Sequence, residues 1–139
     1  MQKKFEQFLR SSWGLELWLG DQIVFRSKEA GVAGLLAFIK KHDSKYKNLV
    51  VFYKIVGRGA ALLAVYLKAK EVYGALGSKL AVKTLREYKV KFYFVKTVPH
   101  ILNRDGNGLC PIEKLSLDKT PAEFYNCLNE RGRASFNLK

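Results

Sequence analysis

The feature of this sequence that most constrains its fold is a pair of apolar runs, residues 49–56 and 60–67, joined by Gly57-Arg58-Gly59. The first run is rich in β-branched and aromatic residues, which is typical of a strand covered on both faces. The second is apolar all round a helical projection, and such a helix is normally buried on every side. The sequence therefore predicts a central strand that turns at the glycines into a deeply buried helix.

The remaining segments alternate between strand-like and helix-like patterns. Gly20-Asp21 suits a type II′ turn and joins two short strands into an antiparallel hairpin. Ser27 and Ser78 are candidate helix caps, Thr120-Pro121 opens a last helix, and Gly132 is expected to end it. In chain order we predict a helix at 2–11, strands at 15–19 and 22–26, a helix after 27, the central strand and buried helix, a strand at 72–76, a helix after 78, a strand at 90–95, and helices at 111–115 and 121–132.

Strands that alternate with helices pair in parallel, because each crossover helix returns the chain to the same edge of the sheet. The predicted fold class is therefore α/β. It is a three-layer α/β/α arrangement around a five-stranded mixed sheet, with the antiparallel hairpin followed by β-α units. A chain of 139 residues is the usual size of one domain. We predict a single domain at 1–139, with an N-terminal helix at 1–12, an α/β core at 13–132 and a tail at 133–139.

The formal net charge of +13 is the one extreme property of the composition. The excess is central, since residues 28–54 carry six lysines against two acids and residues 79–104 carry seven basic groups against one acid. Such a surface attracts nucleic acid or anionic metabolites. Lysine is, however, a solvated point charge and reads phosphate or guanine less specifically than arginine. A lysine-rich soluble surface and a nucleic-acid-binding surface both remain interpretations of this pattern.

The compartment is predicted from what the sequence contains. No apolar run approaches the length of about 20 residues that a membrane helix needs, and Glu6, Arg10 and Glu16 interrupt the segment where a secretory signal has its apolar core. We predict no membrane partner and a cytoplasmic location. Cys110 and Cys127 lack a paired spacing and are expected to be free thiols.

A polar, glycine-punctuated loop follows the last predicted strand and runs into Cys110-Pro111. Ligands of open α/β sheets bind outside the carboxyl ends of the parallel strands, where this loop and the Gly57 turn are both expected. If each turn presents a helix N-terminus to one pocket, an anion is favoured there. We predict a small anionic or nucleotide-like ligand and no cofactor or metal. The candidate ligand-binding residues are Gly57, Arg58, Gly59, Asn103, Arg104, Asp105, Cys110 and Glu113.

Three segments resemble a known family of small prokaryotic proteins, domain of unknown function 1893. They are Val56-Gly57-Arg58-Gly59-Ala60-Ala61, Val98-Pro99-His100-Ile101-Leu102-Asn103-Arg104 and Cys110-Pro111-Ile112-Glu113-Lys114. Together with the hairpin, the likeness covers roughly residues 13–130. That family is similar in fold to cytidine deaminases, so the resemblance implies a cytidine-deaminase-like fold. It implies no activity, because the family has no established one.

The zinc chemistry of working deaminases is missing from the corresponding positions. Those enzymes place a His or Cys and a catalytic Glu at the helix after the central strand, and Pro-Cys-x-x-Cys at a later helix. This chain has Arg58-Gly59-Ala60 at the first position. At the second it has Cys110-Pro111-Ile112-Glu113, with Pro and Cys in reversed order. A catalytic zinc needs three protein ligands, so we expect no zinc-dependent deaminase activity.

Several candidate residues keep two interpretations. Arg58 contacts a ligand, or it pairs with a carboxylate such as Asp105. Cys110 is a helix-terminal nucleophile with His100 as its base, or a packing residue, as Cys127 is expected to be. Glu113 takes part in the site, or it caps its own helix.

Three functions follow from these alternatives. The first is a ligand-binding protein without chemistry. The second is a thiol-dependent enzyme that uses Cys110, and the third is a nucleic-acid-binding protein that uses the lysine-rich surface. Whether the chain is an enzyme is left open by its sequence.

Overall fold

The structure is a computed structural model that describes residues 2–29, 31–42, 45–102 and 105–134, with side chains up to residue 130. Its five strands form one sheet in the order β2-β1-β3-β4-β5. β1 pairs antiparallel with β2 and β3, whereas β3, β4 and β5 are parallel. The strands are β1 Leu15–Leu19, β2 Gln22–Ser27, β3 Val50–Val56, β4 Glu71–Ser78 and β5 Lys91–Val98. The predicted five-stranded mixed sheet with β3 at its centre is confirmed.

Six helices flank the sheet in the described ranges: α1 Gln2–Arg10, α2 Ala33–His42, α3 Arg58–Tyr66, α4 Lys79–Glu87, α5 Pro111–Ser116 and α6 Pro121–Ala134. Ser78 caps α4 as predicted, since its hydroxyl accepts a hydrogen bond from the N–H of Ala81. Ser27 is instead the last residue of β2, and its hydroxyl accepts from the N–H of Glu29 in the loop before α2. The prediction that Gly132 ends the last helix is wrong. α6 continues to Ala134, because an interior glycine costs a helix only about 1 kcal/mol and does not by itself terminate it.

The helices are divided unevenly between the two faces of the sheet. Side chains of α2, α3, α4 and α6 share one core with the strands, and α5 packs on its edge through Ile112 and Leu115. Of the described helices, only α1 lies on the other face. The physical reason is that both parallel crossovers step in the same direction, from β3 to β4 to β5. Right-handed crossovers that advance in one direction place their helices on the same face.

α1 covers its face of the sheet with aromatic side chains. Phe5 and Phe8 are almost fully buried, and they pack with Trp18 and Phe52 of the sheet. The Phe5 ring lies 5.2 Å from the ring centroids of both Phe52 and Tyr73. The helix is therefore held mainly by one aromatic cluster.

Two helices end on a lysine in a conformation that glycine normally provides. Lys68 follows α3 with φ of 62°, and Lys89 follows α4 with φ of 60°. In each case the next residue donates its N–H back into the last turn, Ala69 to the carbonyl of Ala64 and Val90 to that of Leu85. These are Schellman ends with a lysine at the left-handed position, where glycine avoids the clash of the Cβ atom.

Replacing Lys89 with glycine should stabilise the protein. The left-handed backbone costs a non-glycine residue on the order of 1 kcal/mol, and the extra freedom of glycine in the unfolded chain removes part of that gain. We expect the free energy of unfolding to rise by about 0.5 kcal/mol in urea titrations. The exposed Lys83, inside α4, is the matched control. Lys83→Gly should lower the free energy of unfolding by about 1 kcal/mol. A loss of stability in Lys89→Gly would contradict this account of the helix end.

Candidate functional site

The two predicted halves of the site meet at the carboxyl edge of the parallel strands. α3 begins directly after β3, and α5 follows the long loop that leaves β5. The halves are in contact, since a Cβ atom on Gly57 would lie 2.6 Å from Oε1 of Glu113. The structure therefore brings Gly57, Arg58, Gly59 and Glu113 together.

Glu113 caps α3, not its own helix. Its Oε1 accepts a hydrogen bond of 2.6 Å from the backbone N–H of Arg58, and the side chain is 2% exposed. The alternative in which Glu113 caps α5 is wrong, because the carboxylate reaches across to the positive end of the longer helix. The sequence predicts an anionic group of the ligand at the N-terminus of α3, and the Glu113 carboxylate lies at that position.

The second oxygen of this carboxylate is the outstanding feature of the junction. Oε2 of Glu113 is buried and accepts no hydrogen bond from any residue that the structure describes. A buried acceptor without a donor costs about 1 to 3 kcal/mol, and more when it is charged. Oε1, by contrast, accepts the hydrogen bond that caps α3.

Arg58 points its side chain away from the start of α3. Its Nε donates to the carbonyl of Ser116 at 2.9 Å, Nη1 to the hydroxyl of Thr84 at 2.6 Å, and Nη2 to the carbonyl of Lys119 at 3.0 Å. The pairing with Asp105 is not among its contacts. The guanidinium instead joins three helices, with α5 held through carbonyls at and just beyond its carboxyl end, where a cation is favoured.

The neighbouring charges follow from this placement. Asp118 lies beside the end of α5, and its side chain is exposed. The hydrogen bond and charge of Lys119 hold the pKa of Asp118 below its ordinary value, and the positive charge of Arg58 adds a smaller effect in the same direction. The surroundings of Arg58 are thus mixed in charge.

The glycines of this turn permit close packing. A side chain on Gly57 would collide with the Glu113 carboxylate. On Gly59, a Cβ atom would lie 2.9 Å from Cγ2 of Ile112 and 3.0 Å from the Phe124 ring. The pattern Gly-Arg-Gly therefore lets α5 and α6 approach the start of α3.

Cys110 and His100 are less well placed for chemistry. Cys110 is the half-buried N-cap of α5, a helix of only six residues, and its thiol forms no capping hydrogen bond. His100 is exposed, and in the described residues no hydrogen bond joins its ring to Cys110. The thiol-dependent alternative therefore gains no catalytic pair from the geometry, and it stays a prediction.

The rest of the predicted loop is only partly described. Asn103 and Arg104 lie outside the described residues. The ends of the loop meet through an antiparallel bridge between Leu102 and Leu109, and the Cys110 N–H donates to the carbonyl of Ile101. Asp105 is exposed.

Sequence reasoning missed the partners of Arg58. Thr84 and Ser116 are both fully buried, and they lie 26 and 58 positions away along the chain. Lys119, whose carbonyl completes the set, is 61 positions away. The one available signal was a hydroxyl residue inside a helix, Thr84, which is weak because threonine is also common on helix surfaces.

Among the residues that the structure describes, no group of three His, Cys, Asp or Glu side chains is arranged to hold a metal ion. The nucleic-acid alternative stays a prediction.

Among the helices that the structure describes, none is long and apolar enough to cross a lipid bilayer.

These features define a class of protein: an open, mixed α/β sheet whose two turns at the carboxyl edge are tied together by Arg58 and Glu113. The chain belongs to the family described as domain of unknown function 1893, TM1506, whose family model matches residues 8–131. A solved structure of a family member, TM1506 from Thermotoga maritima, is similar with a TM-score of 0.84 and 26% identity, covering 94% of this chain and 88% of that one. No curated protein matches the sequence. The predicted family is confirmed, and its function is unknown.

Proposed function

We propose that this protein is a non-catalytic binding protein with a cytidine-deaminase-like fold, which recognises a small nucleotide-like ligand at the junction of α3 and α5. The five-stranded mixed sheet and the buried helix after its central strand support the fold assignment. A cytoplasmic location is part of the same proposal.

The observation that carries this proposal is the unpartnered Oε2 of Glu113. A carboxylate oxygen only accepts hydrogen bonds, so the group that completes it must be a donor. Amino groups of nucleobases are such donors, and Asp and Glu side chains accept from the exocyclic amino group of cytosine. The ligand class is therefore an amino-bearing base, held through its N–H groups.

The position of Glu113 also supports a place for the anionic part of the ligand outside the junction. A second anion at the start of α3 would be repelled by the carboxylate that already caps it. The phosphate or other anionic group instead lies outside the junction. The exposed lysines at this edge, Lys79 and Lys114, are its partners in the proposal.

Binding without chemistry is favoured by the side chains at the junction. Deamination of a base requires an activated water and a Glu that transfers protons. Here the carboxylate of Glu113 is engaged by a backbone N–H, and the Arg58 guanidinium by Thr84 and two carbonyls. With Oε2 of Glu113 taken by the amino group of the ligand, as proposed, neither group is left to activate water.

The test compares nucleosides that differ only in the base edge. Cytidine and adenosine, which carry an amino group, should raise the melting temperature of the wild-type protein, and uridine, with a carbonyl there, should not. Saturation at about 100 times Kd stabilises a protein by about 2.7 kcal/mol. Glu113→Gln is the matched variant, because its amide oxygen can still cap α3 while its amino group replaces the acceptor.

We expect Glu113→Gln to lose the response to cytidine and adenosine. Equal shifts in the wild-type and variant proteins would show that Glu113 does not recognise the ligand. No shift with any nucleoside at millimolar concentration would show that Oε2 is satisfied by water alone, and the proposal would be wrong.

A further inference from the structure

A cavity with a volume of about 530 Å³ lies at the opposite end of α3 from the Glu113 junction. It opens between the last turn of α3, the loop before β3, the end of α4 and the first turn of α6. Tyr66 lies eight positions after Arg58 in α3, which corresponds to a rise of about 12 Å along the helix axis. The two places are therefore separate sites. The residues of this cavity that matter here are Tyr46, Lys47, Tyr66, Lys68, Tyr88 and Ala122.

Aromatic rings form much of the wall, and two of them are held in place by other rings. Tyr66 stacks on Tyr125 with centroids 4.4 Å apart and planes 16° from parallel. Tyr46 packs against Phe38 and His42 at 5.7 Å and 5.4 Å. Rings fixed in this way are suited to stacking against a flat apolar ligand, because little side-chain freedom is lost on binding.

The described residues that line the cavity carry charge of one sign. Lys47 and Lys68 are exposed at its rim, and none of the described lining residues is acidic. The start of α6 is not an anion site, because the side chains of Thr120 and Glu123 cap each other's backbone N–H groups. In the last turn of α3, the carbonyls of Leu63, Ala64 and Val65 already accept hydrogen bonds from the N–H groups that follow the helix end. The lysine side chains are therefore the charged groups that a ligand meets.

The backbone of Lys68 adds an independent indication. Its φ of 62° is a conformation in which glycine would be more stable, so the lysine is present at a cost to the fold. Backbone strain of this kind is concentrated at functional sites. Lys89 has the same strain at the end of α4 but does not line the cavity.

We propose that this cavity binds a small aromatic anion, a flat ring system that bears a carboxylate or a phosphate, with the ring between Tyr46, Tyr66 and Tyr88 and the anionic group on Lys47 and Lys68. The volume lies in the range of about 300 to 1,000 Å³ that is usual for small-molecule sites. This inference does not depend on the role of Glu113.

The experiment uses isothermal titration calorimetry of the full chain with two probes of the same ring system. Indoleacetate is an aromatic anion, and tryptamine is the matched aromatic cation. We expect indoleacetate to bind and tryptamine to bind at least about tenfold more weakly, since its ammonium group meets two lysines. Indoleacetate and a nucleoside monophosphate then distinguish a carboxylate from a phosphate ligand.

Three variants locate the binding. Lys68→Gly removes the ammonium group and relieves the strained backbone, so we expect a higher melting temperature together with binding that is weaker by about fivefold, the effect of one exposed ion pair. Lys89→Gly is its control, with a similar gain in melting temperature and unchanged binding. Ala122→Trp fills the cavity from an exposed position and should abolish binding while the protein stays folded.

The outcomes are decisive in either direction. The proposal is overturned if indoleacetate does not bind at millimolar concentration, if tryptamine binds as tightly, or if Ala122→Trp leaves the Kd unchanged. Glu113→Gln should bind indoleacetate as the wild-type protein does. A failure of the cavity proposal can therefore be distinguished from a failure of the proposed function at the Glu113 junction.

Discussion

Arg58→Ala is expected to lower the free energy of unfolding by about 2 to 4 kcal/mol, because several hydrogen bonds of a charged group are lost at once. The guanidinium bonds Thr84 and the carbonyls of Ser116 and Lys119. Thr84 and Ser116 are fully buried, so water cannot easily replace the lost donors. The measurement is urea unfolding followed by circular dichroism.

Two variants make the result specific to the guanidinium. Arg58→Lys keeps the charge but loses the planar fork of donors, so we expect it to recover only a minor part of the stability. Arg10→Ala changes an exposed arginine at the end of α1 and should alter the unfolding free energy by less than about 0.5 kcal/mol. If Arg58→Ala and Arg10→Ala behave alike, the guanidinium does not hold the helices together.

Phe5→Ala should be at least as damaging, at about 3 to 5 kcal/mol, which is the usual cost of emptying a buried phenylalanine site. Phe5 has no exposed surface, and its ring contacts those of Phe52, Tyr73 and Tyr93. Since α1 is the one described helix on its face of the sheet, the cavity cannot be filled by a neighbouring helix.

Because α1 packs on its own face of the sheet, Phe5→Ala should also have a local effect on amide hydrogen exchange. Loss of the Phe5 anchor should increase amide hydrogen exchange in α1 and on the sheet residues beneath it, and leave exchange in α3 nearly unchanged. Gln7→Ala, at an exposed position of the same helix, is the control for helix propensity. Uniform loss of protection across both faces would contradict the view that α1 is an independently attached layer.

Local patterns predicted most of the elements correctly. The apolar run that became β3 and the serine that caps α4 are signals contained within a few residues, and the structure places both as expected. The end of α6 was wrong, because Gly132 weakens a helix without ending it. The start of α2 was wrong for a related reason. Ser27 can cap a helix or bond its own loop, and its neighbours along the chain do not decide between the two.

The structure brings the two turns of the candidate site together, but the interactions of their residues differ from those predicted, and ligand binding there stays a prediction. The glycines at 57 and 59 indicated close approach, and the structure shows what approaches them: Glu113, Ile112 and Phe124. The capping role of Glu113 was assigned to the wrong helix. A carboxylate three residues into a helix suits its own N-terminus equally well, and only the position of α3 beside it favours the longer helix.

The sequence by itself determined the α/β class, the central strand and buried helix, and membership of the family, because periodicity and turn residues act over short stretches of chain. The tertiary structure decided the rest. Glu113 meets a backbone N–H 55 positions away, and Arg58 meets a carbonyl 61 positions away. The Tyr-lined cavity likewise combines residues of three helices, α2, α3 and α6, with residues of the segments between elements. Such contacts depend on how the layers of the fold pack together. Short-range sequence patterns do not indicate which residues so far apart along the chain will meet.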